Sequence, residues 1–425
     1  MLRLVLLPLL LVLLQSVASS PTSKASPVFH ARVSRSVRGW GNEGLVENVT
    51  TNLDPPKYSY EDRYGNIHTS LKSKRATDEH SLWKRDGTVI REDSPRKEVR
   101  FWSEAPGQNL LLLTDVAYLS DAGSGAMIYV HDSGLNKDHE ELTGLLSEGV
   151  TRGLITTLQP KTTEFGTKIP TVDGDPDGHG TCVADKAIGV LLGIAKSADL
   201  TMVPQAGVHN DDFMLAELQA IVDDIKSKKQ TNPNFFAVVN LSYGLGQSVL
   251  DDSDLLDEYR QKYLDMVKEG ALLVVASGNY AETKGREDVD DYPGLFAGED
   301  EFKNNMIVVG SVNIFGIVAR SSQGGPLVSI WAPGLVQDPE GLACASNTDN
   351  HGYGERSGTS FAAAQVSGLA AYLYSIDPSL RASANVAKAI KDKIVVQSGN
   401  SASYKRLGDW NVPSIWNMQS GTSLC

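Results

Sequence analysis

Apolar runs alternate with stretches of helical spacing along most of the chain. Runs that are apolar at nearly every position predict strands buried on both faces. Five such runs lie at 126–131, 200–203, 235–241, 271–276 and 306–310. Three helix candidates lie between them, at 183–192, 213–228 and 255–268, and Gly270 is expected as the C-cap of the last. The alternation predicts an α/β fold, with helices on both faces of a mainly parallel central sheet.

The first 105 residues have a different composition. Residues 1–19 contain one Arg, an apolar run from 4 to 14 and small residues after it, which is typical of a secretory signal peptide. The run is short for a membrane span, and an N-terminal anchor is the alternative. Residues 20–105 are polar without a clear period, so we expect a pro-segment that is poorly ordered or only weakly folded. Residues 106–425 are expected to hold the main domain and a C-terminal tail.

Two dibasic pairs stand in the polar leader, Lys74-Arg75 and Lys84-Arg85. In a secreted chain such pairs are candidate sites for a processing protease, and chance pairs in a basic stretch are the alternative. The same region contains a glycosylation sequon at Asn48.

The chain has a formal net charge of −13 that is unevenly distributed. Residues 1–100 carry more Lys and Arg than Asp and Glu, whereas residues 101–425 carry a large acidic excess. An acidic body repels phosphate, which argues against nucleic acid as a partner. The positive charge of the leader would attract it to the acidic body, where it could dock as a pro-segment. The alternative is that the leader is a solvated tail. After the leader no stretch is long and apolar enough to span a bilayer, so no membrane partner is expected.

Polar side chains with catalytic potential follow the predicted strands. Asp132 and Asn279 each stand just after an apolar run, while His179 and Ser360 each open a predicted helix. In parallel sheets, chemistry gathers at the carboxyl ends of the strands. Each residue has an ordinary alternative: a turn aspartate, a structural histidine, a turn asparagine and an N-cap serine. Together they would supply an acid, a base, an oxyanion donor and a nucleophile.

Six short blocks give the chain a close resemblance to the subtilisin-like serine proteases over about residues 107–395. They are Ile128-Tyr-Val-His-Asp-Ser-Gly134, Asp177-Gly-His-Gly-Thr181, Asn240-Leu-Ser-Tyr-Gly244, Ser277-Gly-Asn279, Trp331-Ala-Pro-Gly334 and Ser357-Gly-Thr-Ser-Phe-Ala362. The order of acid, base and nucleophile is also that of the family. The resemblance implies the three-layer αβα subtilisin-like fold.

The resemblance also implies the catalytic roles. Ser360 would attack the scissile carbonyl, His179 would take and return its proton, and Asp132 would hold the imidazole. The Asn279 side chain and the Ser360 backbone N–H would bind the oxyanion.

Five further residues are implied as substrate-binding: Ser242, Tyr243, Gly244, Ser277 and Gly278. The first three would pair with substrate backbone as an added strand, and Tyr243 with 276–279 would line the first specificity pocket. A sequon at Asn240 would lie on a buried strand, so we expect no glycan there. The Tyr292–Pro293 bond is expected to be cis, on the resemblance alone.

The chain departs from the family pattern in the nucleophile helix. Ala364 and Gln365 stand where the family usually has Pro and often has His. Alanine should preserve the helix, with some change in how the nucleophile turn is braced. His139 is a rival base only superficially, because it lacks flanking glycines.

Cys182 replaces a second histidine that is common in the family. It is either a small buried residue or a partner of Cys344. With Cys425 the count is odd, so one thiol is free or paired between chains. The cysteine spacings are unlike those of a zinc site.

Three aspartates, Asp173, Asp175 and Asp177, suggest calcium, a common stabiliser in the family. A full oxygen-ligand pattern is missing from the sequence, so no metal is assigned and no cofactor is expected.

These observations predict a secreted, extracellular serine endopeptidase that is made as a zymogen and acts through an acyl-enzyme on Ser360. Its partners would be protein or peptide substrates, with its own pro-segment as a candidate inhibitor, and we expect a monomer. The alternative from another class is a catalytically silent homologue that binds protein. An esterase of the α/β-hydrolase fold is disfavoured, because Ala362 replaces the second glycine of its motif and the residue order differs.

Overall fold

The computed structural model describes residues 59–61, 67–69, 89–94, 97–103, 115–207, 210–246, 252–399 and 415. The strands are β1 Ser59–Glu61, β2 Ile67–Thr69, β3 Val89–Asp93, β4 Asp115–Leu119, β5 Ala126–Asp132, β6 Ile155–Thr157, β7 Asp199–Pro204, β8 Phe236–Leu241, β9 Leu245–Gly246, β10 Leu272–Ala276, β11 Asp291–Tyr292, β12 Met306–Val312, β13 Val328–Pro333, β14 Leu342–Ala345 and β15 Tyr353–Arg356. The helices are α1 Lys97–Trp102, α2 Glu140–Thr143, α3 His179–Ile188, α4 Asp211–Thr231, α5 Ser253–Lys268, α6 Thr359–Ile376, α7 Pro378–Arg381 and α8 Val386–Gly399.

Seven strands form the central sheet, in the order β13-β12-β10-β8-β5-β7-β6. Every neighbouring pair is parallel. This confirms the predicted parallel sheet. The carboxyl ends of β5, β8 and β10, three consecutive strands of the sheet, therefore meet at one edge, and the residues that follow them are brought together there.

Two apolar layers cover the two faces of this sheet. Along β5, all of which is buried, Ile128 and Val130 belong to the core that includes α3 and α6. Met127 and Tyr129 belong to the core that includes α4 and α5. Because successive side chains of a strand point to opposite faces, the two cores are separate layers and the architecture is three-layered.

Helix α6 runs through the first of these layers, with all eighteen of its residues buried. Its sequence is apolar or small at nearly every position, as expected of a helix enclosed on all sides. Ala364 is fully buried within it. The expectation that the helix persists without a proline at this position is confirmed.

The predicted elements are all present, with shifted boundaries. The helix predicted at 183–192 begins four residues earlier, at His179, and ends at Ile188. The C-cap of α5 is Glu269 and not Gly270, which follows it with a φ of 83°. Glycine tolerates this left-handed conformation one residue beyond the cap.

The packed fold begins earlier than the expected boundary at residues 105–106. β3 pairs with β4 in an antiparallel ribbon, and α1 places Phe101 and Trp102 in the core with no exposed surface. Residues 89–103, which we expected to be weakly folded pro-segment, thus pack with the main domain wherever they are described. The aromatic residues that anchor them are too few to create a visible period in the sequence.

The predicted signal peptide, the Asn48 sequon and both dibasic pairs lie outside the described residues, as does Cys425. None of the described helices combines the length and the apolar character that crossing a bilayer would need.

Candidate active site

The four residues with predicted catalytic roles lie at strand ends and helix starts that the sheet brings together. Asp132 ends β5, His179 begins α3, Asn279 follows β10 and Ser360 is the second residue of α6. Hydrogen bonds link Asp132 with His179, and the Asn279 loop with the start of α6.

The carboxylate of Asp132 holds the imidazole of His179. His179 Nδ1 lies 2.8 Å from Asp132 Oδ1, which also accepts a bond from the Ser133 N–H at 2.7 Å. The Asp132 side chain is 5% exposed and that of His179 is 26% exposed. Burial is the largest influence on the pKa of His179 and lowers it, but the charge and hydrogen bond of Asp132 outweigh it and leave the pKa raised. The geometry fixes Nδ1 as the carboxylate-facing nitrogen and leaves Nε2 without a hydrogen-bond partner among the described residues.

Asp175 holds the helix that carries His179. Its Oδ1 accepts bonds from the Gly178 N–H and the Ser133 hydroxyl, and its Oδ2 accepts bonds from the Thr181 N–H and hydroxyl, all within 2.7–2.8 Å. A carboxylate at a helix N-terminus accepts hydrogen bonds from otherwise unpaired amides, and its charge interacts favourably with the helix dipole. The Asp175 oxygens are therefore engaged in capping α3.

The other two aspartates of that group do not join Asp175. Asp177 pairs with Arg356 at 3.3 Å on the surface, which links the histidine loop to the strand before Ser360. Within the described residues, no group of three or more His, Cys, Asp or Glu is arranged to hold a metal ion.

The hydroxyl of Ser360 points to Ser242. Ser360 Oγ donates to the Ser242 carbonyl at 3.0 Å, and Ser242 Oγ donates to the Ser360 carbonyl at 2.9 Å. Asn240 continues this network, since its amide donates to Ser242 Oγ and accepts from Ser367 Oγ. Among the described residues, no hydrogen bond joins Ser360 to His179, so the expected contact between nucleophile and base is not formed in this rotamer. Asn240 is fully buried, as we expected when doubting a glycan there.

Thr359 orients the amide of Asn279. Asn279 Oδ1 accepts from the Thr359 N–H at 2.9 Å and from the Thr359 hydroxyl at 3.1 Å. The carbonyl end of the amide is thus occupied, and Nδ2 is left as the donor. Gly358 has a φ of 147°, and a Cβ there would lie 3.2 Å from Asn279 Nδ2. The turn before Ser360 needs glycine for its conformation and for this close approach.

The five predicted substrate-binding residues flank this centre. Residues 242–244 belong to no strand and connect β8 to β9, and the Ser242 carbonyl accepts from the Ser360 hydroxyl. Ser277 is buried and its hydroxyl donates to the Gln323 carbonyl at 2.8 Å, while Gly278 has a φ of 104°. Tyr243 does not offer its hydroxyl to a pocket, because that group bonds to His131 at 2.9 Å and to Tyr263 at 3.1 Å.

His131, the residue before Asp132, belongs to a second carboxylate–imidazole pair. Its Nε2 lies 2.9 Å from Glu217 Oε2, and both side chains have no exposed surface. The remaining Glu217 oxygen accepts from the Ala206 N–H at 2.8 Å. Every polar atom of this pair is engaged inside the protein.

The departures from the family pattern have structural explanations. Gln365 donates from its Nε2 to the Pro333 carbonyl at 2.6 Å and to the Phe361 carbonyl at 3.2 Å, so it braces α6 against the end of β13. Cys182 and Cys344 form a disulfide between α3 and β14, which resolves the pairing left open by the sequence. His139 accepts from the Glu141 N–H through Nδ1, and its Nε2 lies 2.8 Å from the Gly352 carbonyl, so it caps α2 and has no free nitrogen for a base.

Sequence reasoning missed three supports of the site: Asp175, Thr359 and the pair His131–Glu217. Asp175 could have been found as an acidic residue just before a helix start. The Thr359 contact could have been found from its place beside the serine. Glu217 offers no such signal, because it lies 86 residues from His131.

Residues 123–409 match the model of the Subtilase family, Peptidase S8. The chain is 30% identical to Subtilisin-like protease 2 of Arthroderma benhamiae over 267 residues, which is 62% of this chain and 54% of that protein. It is 29% identical to Alkaline protease 1 of Aspergillus oryzae over 283 residues, which is 66% of this chain and 59% of that protein. The alignment thus spans little more than half the length of these curated relatives.

A crystal structure of a cold adapted subtilisin-like serine proteinase is also similar, at 22% identity and a TM-score of 0.45. It covers 65% of this chain and 82% of that chain. The family match extends over more than half of the present sequence and includes all four residues of the candidate centre. This chain belongs to the subtilase family.

Proposed function

We propose that the protein is a secreted serine endopeptidase that hydrolyses peptide bonds through an acyl-enzyme on Ser360. The observation that carries the proposal is the 2.8 Å pair of Asp132 with His179, in one site with a serine at the head of a buried helix. Family membership supports the reaction class.

In the proposed mechanism, substrate backbone pairs with residues 242–244 and presents its scissile carbonyl to Ser360. His179 Nε2 takes the hydroxyl proton as Oγ attacks, and later returns it to the leaving amine. Asp132 keeps the proton on Nδ1 and stabilises the imidazolium. Water then hydrolyses the acyl-enzyme by the same proton path.

Attack requires Ser360 to leave its bond with the Ser242 carbonyl. Rotation about the Cα–Cβ bond would turn Oγ from that carbonyl toward His179. Catalytic hydrogen bonds are often formed only when substrate is bound. Substrate that pairs along 242–244 would contact the segment whose Ser242 carbonyl now accepts the hydrogen bond from the Ser360 hydroxyl.

Two donors are available for the negative charge of the tetrahedral intermediate. One is Asn279 Nδ2, since Thr359 occupies the other end of that amide. The second is the Ser360 N–H at the start of α6, where helix amides lack intrahelical acceptors. Loss of one such donor typically costs about 10²–10³ in turnover.

Secretion and zymogen activation are part of the proposal and rest on the N-terminal sequence. The apolar run at 4–14 favours export, and Lys84-Arg85 lies only a few residues before β3. A cut after Arg85 would leave β3 and α1 attached to the domain that they pack against. N-terminal sequencing of the mature protein tests this, and a start within residues 89–103 would contradict it.

A catalytically silent homologue that binds protein remains the second candidate. It is disfavoured because silent homologues would be expected to lose at least one of Asp132, His179, Asn279 and Ser360, and all four are retained.

Active-site labelling decides between the two. The secreted, processed protein is treated at neutral pH with a fluorophosphonate probe, beside the Ser360→Ala variant and a Ser375→Ala control from the far end of the same helix. We expect labelling of wild type and of Ser375→Ala, and none of Ser360→Ala. Absence of labelling in processed wild type would reject the peptidase proposal.

A further inference from the structure

An aspartate lies against the predicted substrate-binding segment. β11 pairs antiparallel with β9, so that Asp291 faces Gly246 across the ribbon. A Cβ on Gly244 would lie 2.9 Å from Asp291 Oδ2. Any side chain at 244 would therefore collide with this carboxylate, and glycine keeps the approach to it open.

The loop that carries Asp291 is also fixed to the other predicted wall, residues 277–278. Gln323 makes this connection, because its backbone N–H donates to the Gly278 carbonyl at 3.0 Å and its carbonyl accepts from Ser277 at 2.8 Å. Its side-chain Nε2 donates to the Arg286 carbonyl at 2.9 Å and to Asp290 at 2.7 Å. The acidic loop that carries Asp291 is thus fixed by hydrogen bonds to the predicted substrate-binding residues 277–278.

The loop already binds one guanidinium. Arg286 donates to Asp290 at 2.6 and 2.9 Å and to Asp291 Oδ1 at 2.9 Å, and its guanidinium lies 4.0 Å from the centre of the Tyr280 ring. This arrangement of carboxylates and an aromatic face is one that suits a guanidinium.

Hydrogen-bond acceptors remain in excess after Arg286 is placed. Residues 286–291 carry a single basic side chain against the acidic Glu287, Asp288, Asp290 and Asp291. Asp291 Oδ2 receives no hydrogen bond from the described residues, and neither does the buried Gln323 Oε1, which lies against Gly278. Burial, the largest influence, and the neighbouring charge of Asp290 raise the pKa of Asp291, so the contact with Arg286 does not fully offset them.

We propose that Asp291 makes the first specificity pocket selective for a basic side chain, so that the protein cuts peptides after Arg or Lys. This inference rests on the proposed peptidase function. A cationic side chain entering between 242–244 and 277–278 would donate to Asp291 Oδ2, whereas an apolar one would desolvate Oδ2 and leave it without a donor. The leader offers two bonds of this type, after Arg75 and Arg85.

The test uses the processed enzyme and fluorogenic peptides that differ only in the residue before the cleaved bond: Arg, Lys, Leu or Phe. We expect kcat/KM for Arg and Lys to exceed that for Leu by at least about tenfold. Asp291→Asn should reduce the Arg and Lys values about 10- to 100-fold and change the Leu value little. Asp288→Asn removes one negative charge from the same loop and should leave the preference for Arg and Lys intact. This control distinguishes an effect of the position of Asp291 from an effect of the loop's total charge.

A preference for Leu or Phe, or an equal loss on all four peptides in Asp291→Asn, would overturn the inference and leave the peptidase proposal standing. If wild type cleaves no peptide beyond the Ser360→Ala background, the peptidase proposal fails instead. The pocket is then tested by calorimetric binding of benzamidine to Ser360→Ala and to Ser360→Ala with Asp291→Asn. Binding that requires Asp291 supports a cation pocket, and absence of binding rejects it.

Discussion

β5 ends in two neighbouring residues that each join a carboxylate–imidazole pair, and the two pairs have different surroundings. Asp132 bonds His179 at 2.8 Å on one side of the sheet, and His131 bonds Glu217 at 2.9 Å on the other. The second nitrogen of His131 is taken by the Tyr243 hydroxyl, whereas Nε2 of His179 has no partner among the described residues. The same chemical pair therefore has no open nitrogen in one place and leaves one imidazole nitrogen open in the other.

The difference lies in access rather than in pairing. The His131–Glu217 pair has no exposed surface, but His179 keeps 26% of its side-chain surface. Every nitrogen and oxygen of the buried pair is engaged within the protein, so none is left for an outside ligand. A partly exposed imidazole with one free nitrogen can exchange a proton with a substrate. A carboxylate beside a histidine is therefore not enough to identify a catalytic centre.

The largest effect should come from replacing each carboxylate by its amide. Asp132→Asn is expected to reduce kcat about 10⁴-fold, because the amide no longer holds the required tautomer. Glu217→Gln should change kcat less than about tenfold, since His131 touches no reacting atom. Steady-state kinetics on a peptide substrate compare the two variants, and comparable losses in both would show that His131–Glu217 is as important for turnover as Asp132–His179.

A smaller effect, on stability, should appear when the buried pair is broken. Glu217→Ala leaves His131 without its buried carboxylate and is expected to lower the free energy of unfolding by about 3–5 kcal/mol. Asp300→Ala, which removes an exposed carboxylate, should leave stability unchanged. Urea unfolding in the Ser360→Ala background avoids self-cleavage during the measurement. Equal midpoints for the Glu217 and Asp300 variants would disprove a stabilising role of the pair.

The smallest effect concerns pH. Although burial lowers the pKa of His179, Asp132 and, to a lesser degree, Asp177 raise it above its ordinary value. Because the base works unprotonated, activity should be lost as the pH falls through that raised pKa. Asp177→Asn removes one of the charges that raise it and should move the acid limb of kcat/KM to lower pH. Glu217→Gln should leave the limb in place, and a shift in that variant would show that the two pairs titrate together.

Local patterns in the sequence were sufficient for five of the seven strands of the central sheet, and they marked the four central residues as candidates whose roles came from the family resemblance. The runs at 126–131 and 271–276 are apolar without interruption, so each is a buried strand in any arrangement of the others. His179 and Ser360 stand in short blocks that contain Gly178 and Gly358, whose positive φ angles favour glycine. Such constraints act within a few residues and can be read from one chain.

Features that depend on distant partners were not predictable in this way. Glu217 reaches His131 only because α4 packs on the face of the sheet to which His131 points. The burial of Phe101 and Trp102 and the rotamer of Ser360 also depend on tertiary packing. The pairing of Cys182 with Cys344 was raised by the sequence, but the geometry that allows it follows from the contact of α3 with β14.

That disulfide joins positions separated by 162 residues of chain, and Asn279 lies between them. The exposed stretch after Asn279, which includes Tyr280 at 50% exposure, also lies inside this covalent ring. A single cut there would produce two fragments that stay bonded to each other, one with His179 and the other with Ser360. If the protein is the peptidase proposed above, one copy can cut another, and this disulfide would keep the two parts of a nicked copy together.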